Sequence, residues 1–182
     1  VIWGSCMVAC GDADAMVTGN TRRYGQSLQK IIKVVDPRPG EIMFGLNMVV
    51  NKGRTVFIGD TSVHEYPTSK QLAEIAISSA RVVRLFGFTP KIAFLSHSTF
   101  GQPMTSRTKH IRDAVEILKK MKVDFKFDGD MQPDVALNDE YKELYPLSDI
   151  VGNANVLIMP GQHSAAISVS YTHLRAHETE TN

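Results

Sequence analysis

The chain has 182 residues, 20 Lys and Arg against 19 Asp and Glu, a formal net charge of +1 and 43% hydrophobic residues, close to average soluble usage. At roughly 100–200 residues per domain this length holds one sizeable core. The balanced charge, without a basic run, leaves no electrostatic footprint for nucleic acid or an anionic membrane. No stretch approaches the ~20 apolar residues of a bilayer span, and the first residues lack the basic start of a secretory signal. The expectation is a cytoplasmic protein with no nucleic-acid and no membrane partner. Cys6 and Cys10 form a lone CxxxC with no second pair, which reads as two reduced thiols rather than a zinc site.

In chain order, ADAMVTG at 13–19 predicts a strand, and residues 24–35 place Leu28, Ile31, Ile32 and Val35 at helical spacing. DPRPG at 36–40 is loop chemistry, because each proline pushes its predecessor out of the helical region. TVFIGD at 55–60 is a strand of buried type. A helix follows over 66–87, with Thr68 and Gln71 as a capping box, Gly87 as the stop, and a stripe of Leu72, Ile75, Ala76, Val82, Val83 and Phe86. KIAFLS at 91–96 predicts a strand, Ser106 to Met121 a helix with Ile111, Ala114, Val115, Leu118 and Met121 inward, and VDFKFDG at 123–129 a strand. A helical stretch over about 133–144 and a last strand at 155–161 complete the pattern. Strands alternating with helices imply right-handed crossovers and a parallel or mixed sheet covered on both faces: an α/β, three-layer αβα fold.

The end of the chain breaks this grammar. Ser164 to Val169 begins a helix, but from Ser170 the apolar positions thin out. VSYTHLRAHETETN at 169–182 resembles a translated sequencing-adapter read, so the expected organisation is a domain over 1–168 and a non-native tail over 169–182. His173 and His177 fall in the tail at i, i+4 spacing without a third ligand, which reads as solvated rather than metal-binding.

In an open α/β sheet, ligands collect at the carboxyl ends of the strands. The segments there are polar: Asp60-Thr61-Ser62, then Ser96 to Gly101, then Asp128 to Gln132, then Pro160 to Ser164. Four loops are expected to converge on one rim. Ser96, Ser98, Thr99 and Gly101 stand just ahead of a helix, which suits either an anion held by hydroxyls and backbone N–H groups or ordinary capping. Asp128 and Asp130 orient a substrate group, bind a hydrated cation or are turn acids. His97 and His163 have no nucleophile and orienting acid visible in sequence, so loop or packing roles are the plainer reading. There is no GxGxxG after a strand, no GxxxxGK[ST] and no GxSxG, so dinucleotide, P-loop and α/β-hydrolase chemistry find no support.

GDADAMVTG at 11–19, LSHSTFG at 95–101, DGDMQPDVAL at 128–137 and GNANVLIMPG at 152–161, in that order, resemble a phosphotransacetylase-family domain. In that family the first loop has the form SFSTKGSA; here it reads SHSTFGQP, without the Lys. TRRYGQSLQKIIKVVDPRPG at 21–40, KGRTVFIGDTSVHEYPTSKQLAEIA at 52–76 and ANVLIMPGQHSAAIS at 154–168 look like the C-terminal phosphotransacetylase-like region of large bacterial NADP-dependent malic enzymes. The resemblance covers about residues 7–168.

The resemblance implies a lobe of the isocitrate/isopropylmalate dehydrogenase-like type. It also implies a regulatory and homo-oligomer-forming role, with acetyl-CoA as effector, while malate oxidation and decarboxylation belong to upstream domains with their NADP and divalent metal. No cofactor and no catalytic residue is expected within the chain itself, which reads as a fragment cut at both ends. The ligand-binding set it implies is Ser96, Ser98, Thr99, Gly101, Asp128, Asp130, Gln132, Pro160 and Gly161. The alternative is a lobe of a phosphate acetyltransferase moving acetyl between CoA and phosphate.

Overall fold

The computed structural model describes residues 1–19, 21–51 and 53–178, with side chains described except at 107 and 171–178. The chain divides into two compact units, Val1–Glu41 and Ile42–Asn182.

In the first unit, α1 (Ile2–Cys10) and α2 (Tyr24–Ile32) contact each other. α1, absent from the sequence expectations, closes at Gly11, whose φ of 82° belongs to glycine-favouring space and lets the N–H groups of Gly11 and Asp12 reach the carbonyls of Val8 and Met7. The strand expected over 13–19 does not form. These residues pair with no strand, and Val17 is fully exposed, so the short apolar run lacks the partner that would make it a strand.

The second unit opens with a hairpin, β1 (Leu46–Asn51) and β2 (Arg54–Gly59), and continues through α3 (Ser69–Leu85), β3 (Lys91–Leu95), α4 (Ser106–Met121), β4 (Lys126–Met131), α5 (Pro133–Leu137), a 3₁₀ turn (Asp139–Glu143), β5 (Val156–Ile158) and α6 (Gln162–Glu178). The sheet order is β1-β2-β5-β3-β4, with β1 antiparallel to β2 and the other pairs parallel. It is a mixed sheet in a three-layer αβα arrangement.

Successive strand residues point to opposite faces, and the two faces bury separate apolar clusters. Phe57, Ile92, Phe94, Val156 and Ile158 pack with Leu72, Ile75 and Val83 of α3 and with Ile111, Ala114, Val115 and Leu118 of α4. Ile58, Ala93, Leu95 and Leu157 pack on the other side with Val135 and Ala136 of α5, with Ile150 and Val151, and with Ala165 of α6. The inner parallel strands β2, β5 and β3 therefore read as apolar runs, as strands covered on both sides do, whereas β4, at the edge, reads KFDGDM.

The expected Thr68–Gln71 capping box is present, and Gly87 follows α3 at φ 81°. α4 spans the predicted residues, with a second box between Thr105 and Thr108. Three residues of the expected inward stripes are not buried, among them Val82 of α3, which is half-buried. Phe86 lies just past the end of α3, half exposed with its ring 5.8 Å from Phe57, and Met121 ends α4 in solvent. The helical stretch expected over 133–144 is split between α5 and the 3₁₀ turn at Asn138. α6 runs on through the expected tail to Glu178. The side chains of His173 and His177 lie outside those described.

Candidate functional site

Because β2, β5, β3 and β4 run parallel, their carboxyl ends share one edge of the sheet, and the loops that leave them meet there. A cleft of about 580 Å³ opens at this edge. Its walls are Glu65, Tyr66 and Pro67 from the loop after β2; Ser96 and His97 after β3; His110 and Ile111 from α4; and Pro160, Gly161, His163 and Ser164 at the start of α6. Of the residues expected from sequence, Ser96, Pro160 and Gly161 lie in it.

Two contacts close the loop after β2 against α6: the N–H of Gln162 donates to the Glu65 carbonyl at 3.3 Å, and the Gln162 amide donates to the Ser62 carbonyl at 3.4 Å. Gly161 makes this approach possible, since a Cβ there would stand 2.6 Å from the Glu65 carbonyl oxygen. Glu65 Oε1 also lies 3.3 Å from His163 Nε2.

That loop is held from beneath by Asp60, which is only 2% exposed. Its carboxylate accepts from the N–H groups of Gly45, Ser62, Val63 and His64 at 2.8–3.2 Å and lies 2.6 Å from His64 Nδ1. Burial pushes the Asp60 carboxyl upward, but the hydrogen bonds from Ser62, Gly45 and His64 outweigh it and hold the group below the ordinary aspartate value. The sequence reading placed Asp60 on the rim without assigning it this role. The local signal was an acid ahead of Thr-Ser, the pattern of an Asx turn.

A second buried cluster lies behind Ser96. Ser98 donates its hydroxyl proton to the carboxylate of Asp130, a residue with no solvent exposure. Ser96 Oγ is 3.0 Å from Ser98 Oγ and accepts from the Ser98 N–H at 3.3 Å. Since the one Ser98 proton is engaged by Asp130, Ser96 is the donor of this hydroxyl pair, and its proton points away from the cleft. The Gly101 N–H reaches Asp130 at 3.4 Å, and Arg112 Nε stands 3.9 Å from its other oxygen. Thr99 Oγ1 accepts from the Gln132 N–H, and the Gln132 amide donates to the His97 carbonyl. Ser98, Thr99, Gly101, Asp130 and Gln132 thus tie the loop after β3 to the end of β4.

Asp128 and Asp130 lie within β4 rather than in a turn after it, because β4 extends to Met131. A regular strand would put the two on one face, but the register against β3 shifts between Phe94 and Leu95, so that Asp130 falls at an irregularity. Asp130 turns to Ser98, while Asp128 lines a different cavity of about 370 Å³, with Phe100, Leu144, Tyr145 and Leu147. Among the described residues no group of three His, Cys, Asp or Glu side chains is placed to hold a metal ion, and no helix is long and apolar enough to cross a membrane.

Residues 1–180 match the family described as Phosphate acetyl/butaryl transferase. The chain is 46% identical over 166 residues to an NADP-dependent malic enzyme of Rhizobium meliloti (strain 1021), covering 91% of this chain and 22% of that protein. It is 31% identical over 170 residues to a phosphate acetyltransferase of Buchnera aphidicola subsp. Schizaphis graminum (strain Sg), covering 92% of this chain and 24% of that protein. The fold superposes on the crystal structure of a phosphotransacetylase from Streptococcus pyogenes with a TM-score of 0.88 at 27% identity, covering 97% of this chain and 55% of that one. The chain therefore spans about a fifth to a quarter of the length of these curated relatives.

Proposed function

The chain belongs to the Phosphate acetyl/butaryl transferase family, and on that premise we propose that it is the regulatory and assembly segment of a cytoplasmic NADP-dependent malic enzyme. In this reading the oxidative decarboxylation of malate to pyruvate, with its NADP and divalent metal, is carried by segments outside this chain. Acetyl-CoA acts here as effector, in the cleft between the loop after β2 and the start of α6, and the segment assembles as a homo-oligomer. The observation that carries the reading is the 46% identity to a malic enzyme over 91% of the chain, against 31% to a phosphate acetyltransferase. The loop Ser96 to Gly101 adds to it, because Phe100 stands where the transferase pattern has its Lys.

The second reading, a lobe of an enzyme moving acetyl between CoA and phosphate, draws on the superposition with the Streptococcus pyogenes phosphotransacetylase. The full-length gene separates the two: an upstream malic domain supports the first, and a free-standing frame with a downstream Ser-Arg and Asp supports the second. The chain assayed by itself is expected to form neither acetyl phosphate nor NADPH from malate. Turnover in either assay, abolished by a point change in this chain, overturns the regulatory reading.

A further inference from the structure

We propose that anion binding in this cleft is proton-linked: His97, His110 and His163 supply its positive charge, and Glu65 competes with the ligand for His163. The inference rests on the reading that the cleft takes acetyl-CoA. Three separate elements each bring one imidazole to the cleft: the loop after β3, α4 and the start of α6. Among the described residues that line it there is no Lys and no Arg, and the other titratable groups facing it are Glu65 and Tyr66.

The serine nearest the strand ends does not supply a donor, because Ser96 directs its proton to Ser98, whose own proton goes to Asp130. With its imidazoles neutral, the described side chains that line the cleft therefore carry the charge of Glu65, which repels a phosphorylated ligand. Imidazole is the side chain whose ordinary charge change falls between pH 5 and 8. Each proton taken up there supplies a counter-charge, and by reciprocity a bound anion favours proton uptake.

Glu65 is the built-in competitor. Its Oε1 stands 3.3 Å from His163 Nε2 across the contact between the loop and α6, with both side chains mostly exposed. Exposed pairs of this kind are weak, so a phosphate or carboxylate entering the cleft displaces Glu65 at small cost.

The test is isothermal titration of acetyl-CoA into the full-length polypeptide that carries this chain, at constant ionic strength between about pH 6 and pH 8. The expected dissociation constant rises about fivefold or more over that range. The ligand's own phosphate also gains negative charge as pH rises, so the part of the trend that belongs to the protein is the part lost in the combined His97→Gln, His110→Gln, His163→Gln variant. Glu65→Gln is expected to bind about threefold tighter near neutral pH, and His163→Gln to bind more weakly with a shallower pH dependence. Both positions are exposed, so both variants retain the fold. A dissociation constant that does not change with pH in the parent overturns the proposal and leaves the acetyl-CoA reading standing. So does an undiminished pH dependence in the combined His97→Gln, His110→Gln, His163→Gln variant. Absence of binding at every pH overturns that reading and the proposal together.

Discussion

His64 Nδ1 sits 2.6 Å from Oδ2 of Asp60, four residues earlier in the loop that leaves β2. The same carboxylate accepts four backbone N–H groups, so one buried side chain fixes the loop that forms a wall of the cleft. Asp60→Asn removes the charge and part of the accepting capacity, and is expected to destabilise the protein by about 1–3 kcal/mol in denaturant unfolding. Because the folded-state value lies below the ordinary one, the ionised carboxylate stabilises the fold fully above about pH 5, and that stabilisation is lost as pH falls through the folded value. The difference between parent and Asp60→Asn should therefore shrink in acid. A constant difference from neutrality down to acid assigns the effect to packing instead.

Ser98 and Asp130 form the buried counterpart after β3. Ser98→Ala leaves one carboxylate oxygen with only the 3.4 Å contact to the Gly101 N–H, while its other oxygen has only Arg112 at 3.9 Å. Loss of a hydrogen bond to a buried charge is expected to cost about 1.5–3 kcal/mol in unfolding free energy. Ser96→Ala removes the upstream donor and the acceptor of the 3.3 Å bond from the Ser98 N–H, neither of them a bond to the carboxylate, and is expected to cost less. Equal costs for the two variants contradict the assigned direction of the chain from Ser96 through Ser98 to Asp130.

The helices α3 and α4 were legible because their ends carry local chemistry: Thr68 with Gln71, Gly87, and an apolar stripe facing the sheet. β2, β3 and β5 were legible as apolar runs between turn residues, and β4 from VDFKFDG at 123–129, two residues short of its end at Met131. β1 was not, since LNMVVN is an edge strand with Met48 and Val50 in solvent, and only its pairing with β2 makes it a strand. The rim was legible from strand-end polarity, yet the division of labour along it was not. Whether Ser98 faces ligand or Asp130 depends on a contact 32 residues away in sequence. The role of Asp60 depends on Gly45, from a segment that sequence patterning left unassigned. Burial of an acid is a tertiary property, and composition offers no sign of it.

α6 continues past the expected domain end, and Val169 packs against the cluster formed by Ile58, Ala93, Leu95 and their neighbours. Truncation after Ser170 keeps this contact and is expected to leave unfolding free energy within about 0.5 kcal/mol of the parent. Truncation after Ser168 removes it and should cost about 1 kcal/mol, the scale of partly burying an aliphatic side chain. A loss above about 2 kcal/mol on truncation after Ser170 would show that residues beyond it belong to the packed fold.

Gly161 sets how closely the loop after β2 approaches α6. A methyl group there meets the backbone carbonyl of Glu65 at 2.6 Å, and a carbonyl held by its own chain cannot step aside as a flexible side-chain tip does. Gly161→Ala must therefore move the loop, stretching the 3.3 Å bond from the Gln162 N–H to the Glu65 carbonyl and carrying Glu65 away from His163. The expected stability cost is about 1–3 kcal/mol, as for overpacking at a tight contact. Because Pro67 and Asp60 anchor the two ends of this loop and both are buried, the displacement concentrates in the residues that line the cleft. Acetyl-CoA affinity should fall together with stability in Gly161→Ala, whereas Gly53→Ala, in the β1–β2 hairpin, tests a glycine at φ 79° with no atom near its Cβ position and should lower stability alone. Titration calorimetry and denaturant unfolding on the two variants decide it: a Gly161→Ala protein that loses stability but binds acetyl-CoA like the parent removes this contact from the ligand site.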